Sequence, residues 1–134
     1  MNINRFGVND MIFGIGIDEI EVGRVIDRMA ATSGLREQLF TSAEIAYCES
    51  QKHGGRSYAA RYAAKEAFLK ALGTGWRDGL AYLDIEIVHD FLGKPALILH
   101  GRAKQYAEER RISGMHLSLT HLDEIAGAIV VLEN

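Results

Sequence analysis

Arg61-Tyr62-Ala63-Ala64-Lys65-Glu66-Ala67-Phe68-Leu69-Lys70-Ala71-Leu72-Gly73-Thr74-Gly75 is the stretch on which the fold turns. Alanine and leucine favour helix, no proline interrupts the run, and Gly73 is the residue type that lets a helix stop with φ > 0. At helical spacing Tyr62, Glu66 and Lys70 share one face, which brings a carboxylate and an ammonium within reach of a single ligand. The same Glu66 to Lys70 spacing is that of an ordinary surface ion pair, worth about 0.2–0.5 kcal/mol. Ala59, Ala63, Ala67 and Ala71 form a second stripe with almost no side-chain bulk. Such a stripe predicts a central helix that another element approaches closely.

That element is expected upstream. Ile12-Phe13-Gly14-Ile15-Gly16-Ile17-Asp18 is apolar and β-prone, and a period of two sets Gly14, Gly16 and Asp18 on one face with Phe13, Ile15 and Ile17 on the other. Glycine weakens a strand and often marks where a ligand or another backbone comes close, so Asp18 projects beside a cleared surface. Asp18-Glu19-Ile20-Glu21 also fits an N-cap with a glutamate three residues on, opening a helix through Val22, Val25, Ile26 and Met29. Capping and metal binding by Asp18 both stand at this point, and the two roles are compatible.

Outward from these two segments, the pattern gives a strand near 12–18, helices near 20–31, 42–51 and 57–72, and strands near 82–89 and 96–100. A helix near 101–111 then leads to strands near 115–121 and 125–132, joined by a tight turn at Leu122-Asp123-Glu124. This order predicts an α+β fold with adjacent antiparallel strands. Gly34, Gly54-Gly55, Gly79 and Gly93 punctuate connections, and neither a repeat nor a linker divides the chain. One domain is expected over 11–134, with 1–10 as an N-terminal tail.

A chain of 134 residues with 48% hydrophobic content can bury a core of its own. The single cysteine, Cys48, admits no intrachain disulfide and fits a reducing compartment, so the cytoplasm is the expected location. No apolar run approaches the ~20 residues that span a bilayer, and Met1 to Asp10 lacks the features of a signal peptide. No membrane association is expected. A net charge of −3 argues against nucleic acid as a partner through a globally basic surface. Arg24 and Arg28, four apart, with Arg36 beyond them, still make a local cationic face.

From about Phe13 to Glu133 the chain resembles the holo-acyl-carrier-protein synthases, the small bacterial 4'-phosphopantetheinyl transferases. Gly14-Ile15-Gly16-Ile17-Asp18 with Arg24 is similar to that family's opening motif, Phe40-Thr41 with Glu44 and Tyr47 to its second, and Arg61 to Gly75 to its signature helix. Gly93-Lys94-Pro95 and Leu117-Ser118-Leu119-Thr120-His121 match a later turn and strand. The chain departs from the usual pattern at Glu19, where an aliphatic residue is common, and at Thr120-His121-Leu122, where a serine-rich form is common. Neither departure removes a proposed metal ligand.

The resemblance implies a β-α(3)-β(2)-type 4'-phosphopantetheinyl transferase fold with an antiparallel sheet. It implies coenzyme A as donor and apo acyl carrier protein as acceptor, a carrier serine attacking the β-phosphate to give holo carrier protein and 3',5'-ADP. One cysteine and scattered histidines do not suit zinc. Two carboxylates with room for water and phosphate oxygens suit Mg²⁺, with Asp18 and Glu66 as the pair. Lys70 would neutralise charge on the leaving phosphate, and the general base stays open. Lys65 points about 100° away from Glu66, toward a structural ion pair first and a phosphate second. Arg61, Pro95, Ser118 and His121 carry over as contacts to the nucleotide end, with Gly73 and Gly75 giving backbone access. Arg24 and Arg28 carry over as the docking face for the acidic carrier protein, and a homotrimer with sites between subunits is implied. A noncatalytic binding module and a metal-dependent nucleotide hydrolase are the competing readings. Asp18, Glu66 and Lys70 speak against the first, and hydrolysis of coenzyme A without an acceptor would favour the second.

Overall fold

The computed structural model describes residues 11–134, so the tail expected over 1–10 lies outside the described residues. Strand β1 (Ile12–Glu21) leads into helices α1 (Val22–Ala31), α2 (Leu35–Leu39), α3 (Ser42–Ser50) and α4 (Gly54–Leu72). A 3-10 turn at Tyr82–Asp84 precedes β2 (Ile85–His89) and β3 (Pro95–Leu99); α5 (Gly101–Glu109), β4 (Gly114–His121) and β5 (Ile125–Glu133) complete the order. β1, β5 and β4 form one antiparallel sheet in that order, and β2 and β3 form a separate antiparallel hairpin. Four helices, rather than the three expected, stand between β1 and β2; the addition is α2, too short to leave a periodicity.

The glycines of β1 set the distance between the layers. A Cβ at Gly14 would fall on the carbonyl oxygen of Ala71, and one at Gly16 would fall on that of Ala67 and lie 2.7 Å from the Ala71 nitrogen. Ala59, Ala63, Ala67 and Ala71 are all buried, so α4 meets β1 backbone to backbone, as the alanine stripe predicts. From β5, Ala128, Val130 and Leu132 close the same core with Phe68, Ile85 and Ile87. Ile15 and Ile17 turn to the outer face of the sheet, 57% and 59% exposed. Phe13 departs from the alternation and packs against the core, because the register shifts between Ile12 and Gly14.

Several boundaries differ from the sequence pattern for physical reasons. β1 runs on to Glu21 because Glu19, Ile20 and Glu21 continue the pairing with Gly127, Ala126 and Ile125. Asp18 is therefore a mid-strand residue, and the capping alternative for it is overturned; Glu21 holds the N-cap position without a side-chain cap. Gly54 and Gly55 open α4 rather than separate it, since a Cβ at Gly55 would strike Ile26 of α1. The expected strand over 82–89 begins at 85, after the turn that aims Tyr82 at α4.

Thr41 and Glu44 form a capping box at the start of α3: Glu44 Oε1 accepts from Thr41 N at 2.9 Å, and Thr41 Oγ1 accepts from Glu44 N at 3.2 Å. Glu44 Oε1 also accepts from Lys65 Nζ at 2.8 Å, both side chains fully buried. Its Oε2 accepts from Ile87 N, and Lys65 donates a further bond to the Tyr82 carbonyl. Lys65 is thus the structural ion pair expected of it, joining α3, α4 and β2. Burial lowers the Lys65 pKa against the pull of Glu44.

Candidate functional site

The exposed edge of α4 carries the first group of candidate residues. Tyr62 and Glu66 are partly buried and Lys70 is exposed, the one-faced arrangement read from their spacing. Lys70 does not pair with Glu66. Its Nζ donates to Asp18 Oδ1 at 2.9 Å and to the Ile17 carbonyl at 3.0 Å, so it bridges helix and strand. Glu66 Oε1 instead accepts from Tyr82 Oη at 2.7 Å and from Trp76 Nε1 at 3.3 Å. Burial and the neighbouring Glu66 hold the Tyr82 phenol far above its ordinary pKa, so it stays a donor throughout the physiological range. Neither Tyr82 nor Trp76 was marked by sequence spacing; each reaches Glu66 from the connection after α4. Gly73 ends the helix at φ 83° and Gly75 follows at φ 63°, both with open space where a Cβ would stand.

The second group surrounds a cavity of about 390 Å³ between α3, α4, the β2–β3 turn and β4, lined among others by Arg61, Pro95, Ser118 and His121. Four of the sequence-predicted nucleotide contacts thus share one cavity. Arg61 is 2% exposed and its Nε has no hydrogen-bond partner. Its guanidinium carbon lies 4.2 Å from the centre of the Tyr47 ring, and its Nη2 meets His89 Nδ1 at 3.1 Å. Among the described residues no carboxylate is paired with it. A buried cation without an anion is costly unless a ligand supplies one, and guanidinium is the group best shaped to take phosphate with two bonds. His89 and Tyr47 line the same cavity. Tyr47 lay in a recognised motif, whereas nothing in the sequence singled out His89.

The two groups do not merge within one chain. At the ordinary helical rise Arg61 and Lys70 stand about 13 Å apart along α4, and Lys70, Gly73 and Gly75 are not among the residues lining the Arg61 cavity. Arg24 and Arg28 are exposed on α1, and Arg28 borders an apolar cavity formed with Ile20, Val25, Leu39, Tyr62 and Tyr82. Arg36 does not extend their cationic face. It is tied to Glu37 at 3.2 Å and Glu49 at 3.1 Å.

No cluster of three or more His, Cys, Asp or Glu side chains suited to a metal occurs among the described residues. A transition-metal cage is not formed. Among the described residues Oε2 of Glu66 has no hydrogen-bond partner, and Asp18 and Glu66 are of the ligand type that a hard cation takes when it completes its shell with water and ligand oxygens, since such a cation needs only one or two protein carboxylates.

Fold and side chains together define a small α+β protein with a buried arginine opening on one cavity and two partnered carboxylates, Asp18 and Glu66, elsewhere on β1 and the same helix. Residues 14–129 match the family model of the 4'-phosphopantetheinyl transferase superfamily, and the chain belongs to that family. It is 46% identical over 124 residues to the holo-[acyl-carrier-protein] synthase of Geobacter sp. (strain M21), covering 92% of this chain and 99% of that protein. Among solved structures, the holo-[acyl-carrier-protein] synthase of Neisseria meningitidis superposes with a TM-score of 0.85 at 34% identity, covering 92% of this chain and all of that one. The Bacillus anthracis synthase, in complex with CoA (3',5'-ADP), gives a TM-score of 0.78 at 37% identity over 93% and 99% of the two chains.

Proposed function

We propose that Asp18, Glu66, Lys70 and the Arg61 cavity carry the reaction of this family in the present chain. The protein is a holo-[acyl-carrier-protein] synthase that moves the 4'-phosphopantetheine of coenzyme A to a serine of an apo acyl carrier protein. The serine oxygen bonds to the β-phosphorus and its proton passes to a base or to water, the bond between that phosphorus and the bridging pyrophosphate oxygen breaks, and 3',5'-ADP departs with the bridging oxygen. The buried, carboxylate-free Arg61 opening on one cavity with Pro95, Ser118 and His121 is the observation that carries the placement of the nucleotide end.

Within this reading Arg61 holds the 3'-phosphate and the cavity walls exclude water from the nucleotide. Asp18 and Glu66 would hold Mg²⁺, which when bound would supply a charge that draws electrons from the pyrophosphate oxygens. Tyr82 and Trp76 fix the orientation of the Glu66 carboxylate by donating to Oε1, so that the group would be held ready for an ion. Lys70, anchored on Asp18 with its side chain 56% exposed, stands where its ammonium can neutralise the charge that grows on the leaving phosphate. Gly73 and Gly75 leave the backbone open beside it. Arg24 and Arg28 meet an acidic carrier protein, raising its on-rate more than its residence time.

The separation of the two groups supports a homotrimer whose subunits complete one another's sites. So does the apolar outer face of the sheet, where Ile17 and Ile129 stand opposite each other, both exposed, with Ile15 beside them. The reaction belongs to the cytoplasm in this reading: Cys48 is buried and its thiol is raised to about 11, chiefly by burial, so it is inert. No helix among the described residues is long and apolar enough to cross a membrane.

The test is the intact mass of an apo acyl carrier protein incubated with this protein, coenzyme A and Mg²⁺. A phosphopantetheine-sized gain that disappears with chelator is expected. No gain with any of several carrier proteins, despite coenzyme A binding, would leave a binding module.

A further inference from the structure

The Arg61 cavity contains a titratable group that the reaction as written does not use. His89 closes β2, Tyr47 comes from α3 and Arg61 from α4, so three elements converge on one point. The Tyr47 and His89 rings stack with centroids 4.5 Å apart and planes 8° apart. Arginine can only donate, so the 3.1 Å contact from Nη2 makes His89 Nδ1 an acceptor and places its ring proton on Nε2. The geometry therefore selects a neutral imidazole, since a second proton at Nδ1 would face a guanidinium donor. Burial, and next the Arg61 charge, push the His89 pKa below its ordinary value; Asp90 pulls the other way. The remaining groups around the cavity are Lys94 on the β2–β3 turn and His121 on β4.

A phosphate monoester changes this balance. Its oxygens compete for the Arg61 donors, including Nη2, which releases Nδ1. It also adds negative charge beside an imidazole that until then faced only cations and one carboxylate. We propose that His89 is a positioning residue of the phosphate site, neutral in the free protein and protonated by solvent when a phosphate monoester binds, so that the ligand recruits its own second cation. The proton comes from bulk water and no other bond forms or breaks. The proposal rests on the reading that this cavity takes the 3'-phosphate of coenzyme A.

The test follows the His89 ring resonances by NMR across pH 5 to 9, roughly the range in which imidazole titrates, with His89→Asn giving the assignment. Asparagine retains an acceptor for Arg61 but cannot titrate. The ligand's own phosphate titrates near pH 6, so net proton uptake is not the readout. The expected result with saturating 3',5'-ADP is an upward shift of the His89 titration by about one pH unit, a tenfold change in the protonation equilibrium. Adenosine 5'-phosphate, which lacks the 3'-phosphate, leaves it in place. Whatever its affinity at pH 8.5, His89→Asn lacks the tightening for 3',5'-ADP that the wild type gains toward pH 6, and His121→Asn, measured at saturation, keeps the His89 shift. Binding of 3',5'-ADP with no His89 shift, or an equal shift with both nucleotides, overturns the proposal while sparing the cavity. Binding of 3',5'-ADP that is indifferent to Arg61→Ala overturns the cavity reading and the proposal with it.

Discussion

A carboxylate bonded to a lysine and a carboxylate bonded to a phenol are different instruments, and the proposed metal pair consists of one of each. Asp18 anchors Lys70, whereas Glu66 is fixed by Tyr82 and Trp76. Asp18→Ala and Glu66→Ala each lower Mg²⁺-dependent transfer by about 10²–10³-fold, the scale on which one electrostatic group acts in a preorganised site. Circular dichroism of both variants stays that of the wild type, because neither carboxylate belongs to the buried core. Normal turnover in either variant would remove that residue from the metal pair. Lys65, next to Glu66 in sequence, behaves in the opposite way. Lys65→Met strands Glu44 as a buried charge and costs about 3–5 kcal/mol in urea unfolding; a loss of activity at unchanged stability would contradict the structural role.

His89 contributes to the acid limb of stability. Its folded pKa is depressed, so the unfolded chain binds the proton first as pH falls. The stability contributed by the neutral ring is complete above the unfolded value, about 6.5, and is lost as pH drops through the lower folded value. His89→Asn therefore has a shallower loss of urea midpoint below neutrality than the wild type. Parallel curves would show that His89 titrates alike in both states. At this scale the sequence made the charged residues of α4 legible because helical spacing is local. The partners of Glu66 and Arg61 come from the connection after α4 and from β2, and no spacing rule reaches that far.

The helix and strand that carry the chemistry are held by what they lack. Gly14 and Gly16 leave no Cβ between β1 and α4, and the alanines of α4 answer them. Gly16→Ala places a carbon on the Ala67 carbonyl oxygen, an atom that cannot rotate away, and destabilises the protein by about 3 kcal/mol, the upper end for overpacked cores. Gly23→Ala, with open space around its Cβ position on α1, is neutral or mildly stabilising. Equal unfolding midpoints for the two variants would sink this account. The alanine stripe and the glycine alternation were both visible in the sequence, and they fixed which elements touch. The start of α1 was not, since Asp18 to Glu21 carries a good local cap signal that pairing with β5 overrides. Likewise Gly54-Gly55 reads as a break, and only the proximity of Ile26 explains why glycine is needed inside a helix.

For the whole molecule, the question is how the two halves of the site meet. Ile17→Glu, on the outer face of the sheet, breaks the proposed trimer: sedimentation velocity gives a monomer, and transfer falls with every site residue intact. An active monomer at assay concentration would refute the shared site. Arg24→Glu acts on the other partner and raises KM for carrier protein more than for coenzyme A, an effect that weakens with salt as surface charge is screened. An unchanged carrier-protein KM would take Arg24 out of the docking face. The class of reaction was legible in the motifs, but the separation of the candidate residues into an arginine group and a carboxylate group was not, because motif order says nothing about which residues face one cavity.

The backbone-to-backbone seat of α4 on β1 also limits what selection can alter. Most layered domains meet through side chains, which drift in compensating pairs and let the spacing between layers creep. Here the spacing is set by main-chain atoms, and main chain has no alleles. A substitution cannot trim main-chain atoms, and one that adds a Cβ at Gly14 or Gly16 pushes the layers apart, so changes that leave Asp18 against Lys70 are those at the rim: the face of α1, the turn after β2 and the outer face of the sheet.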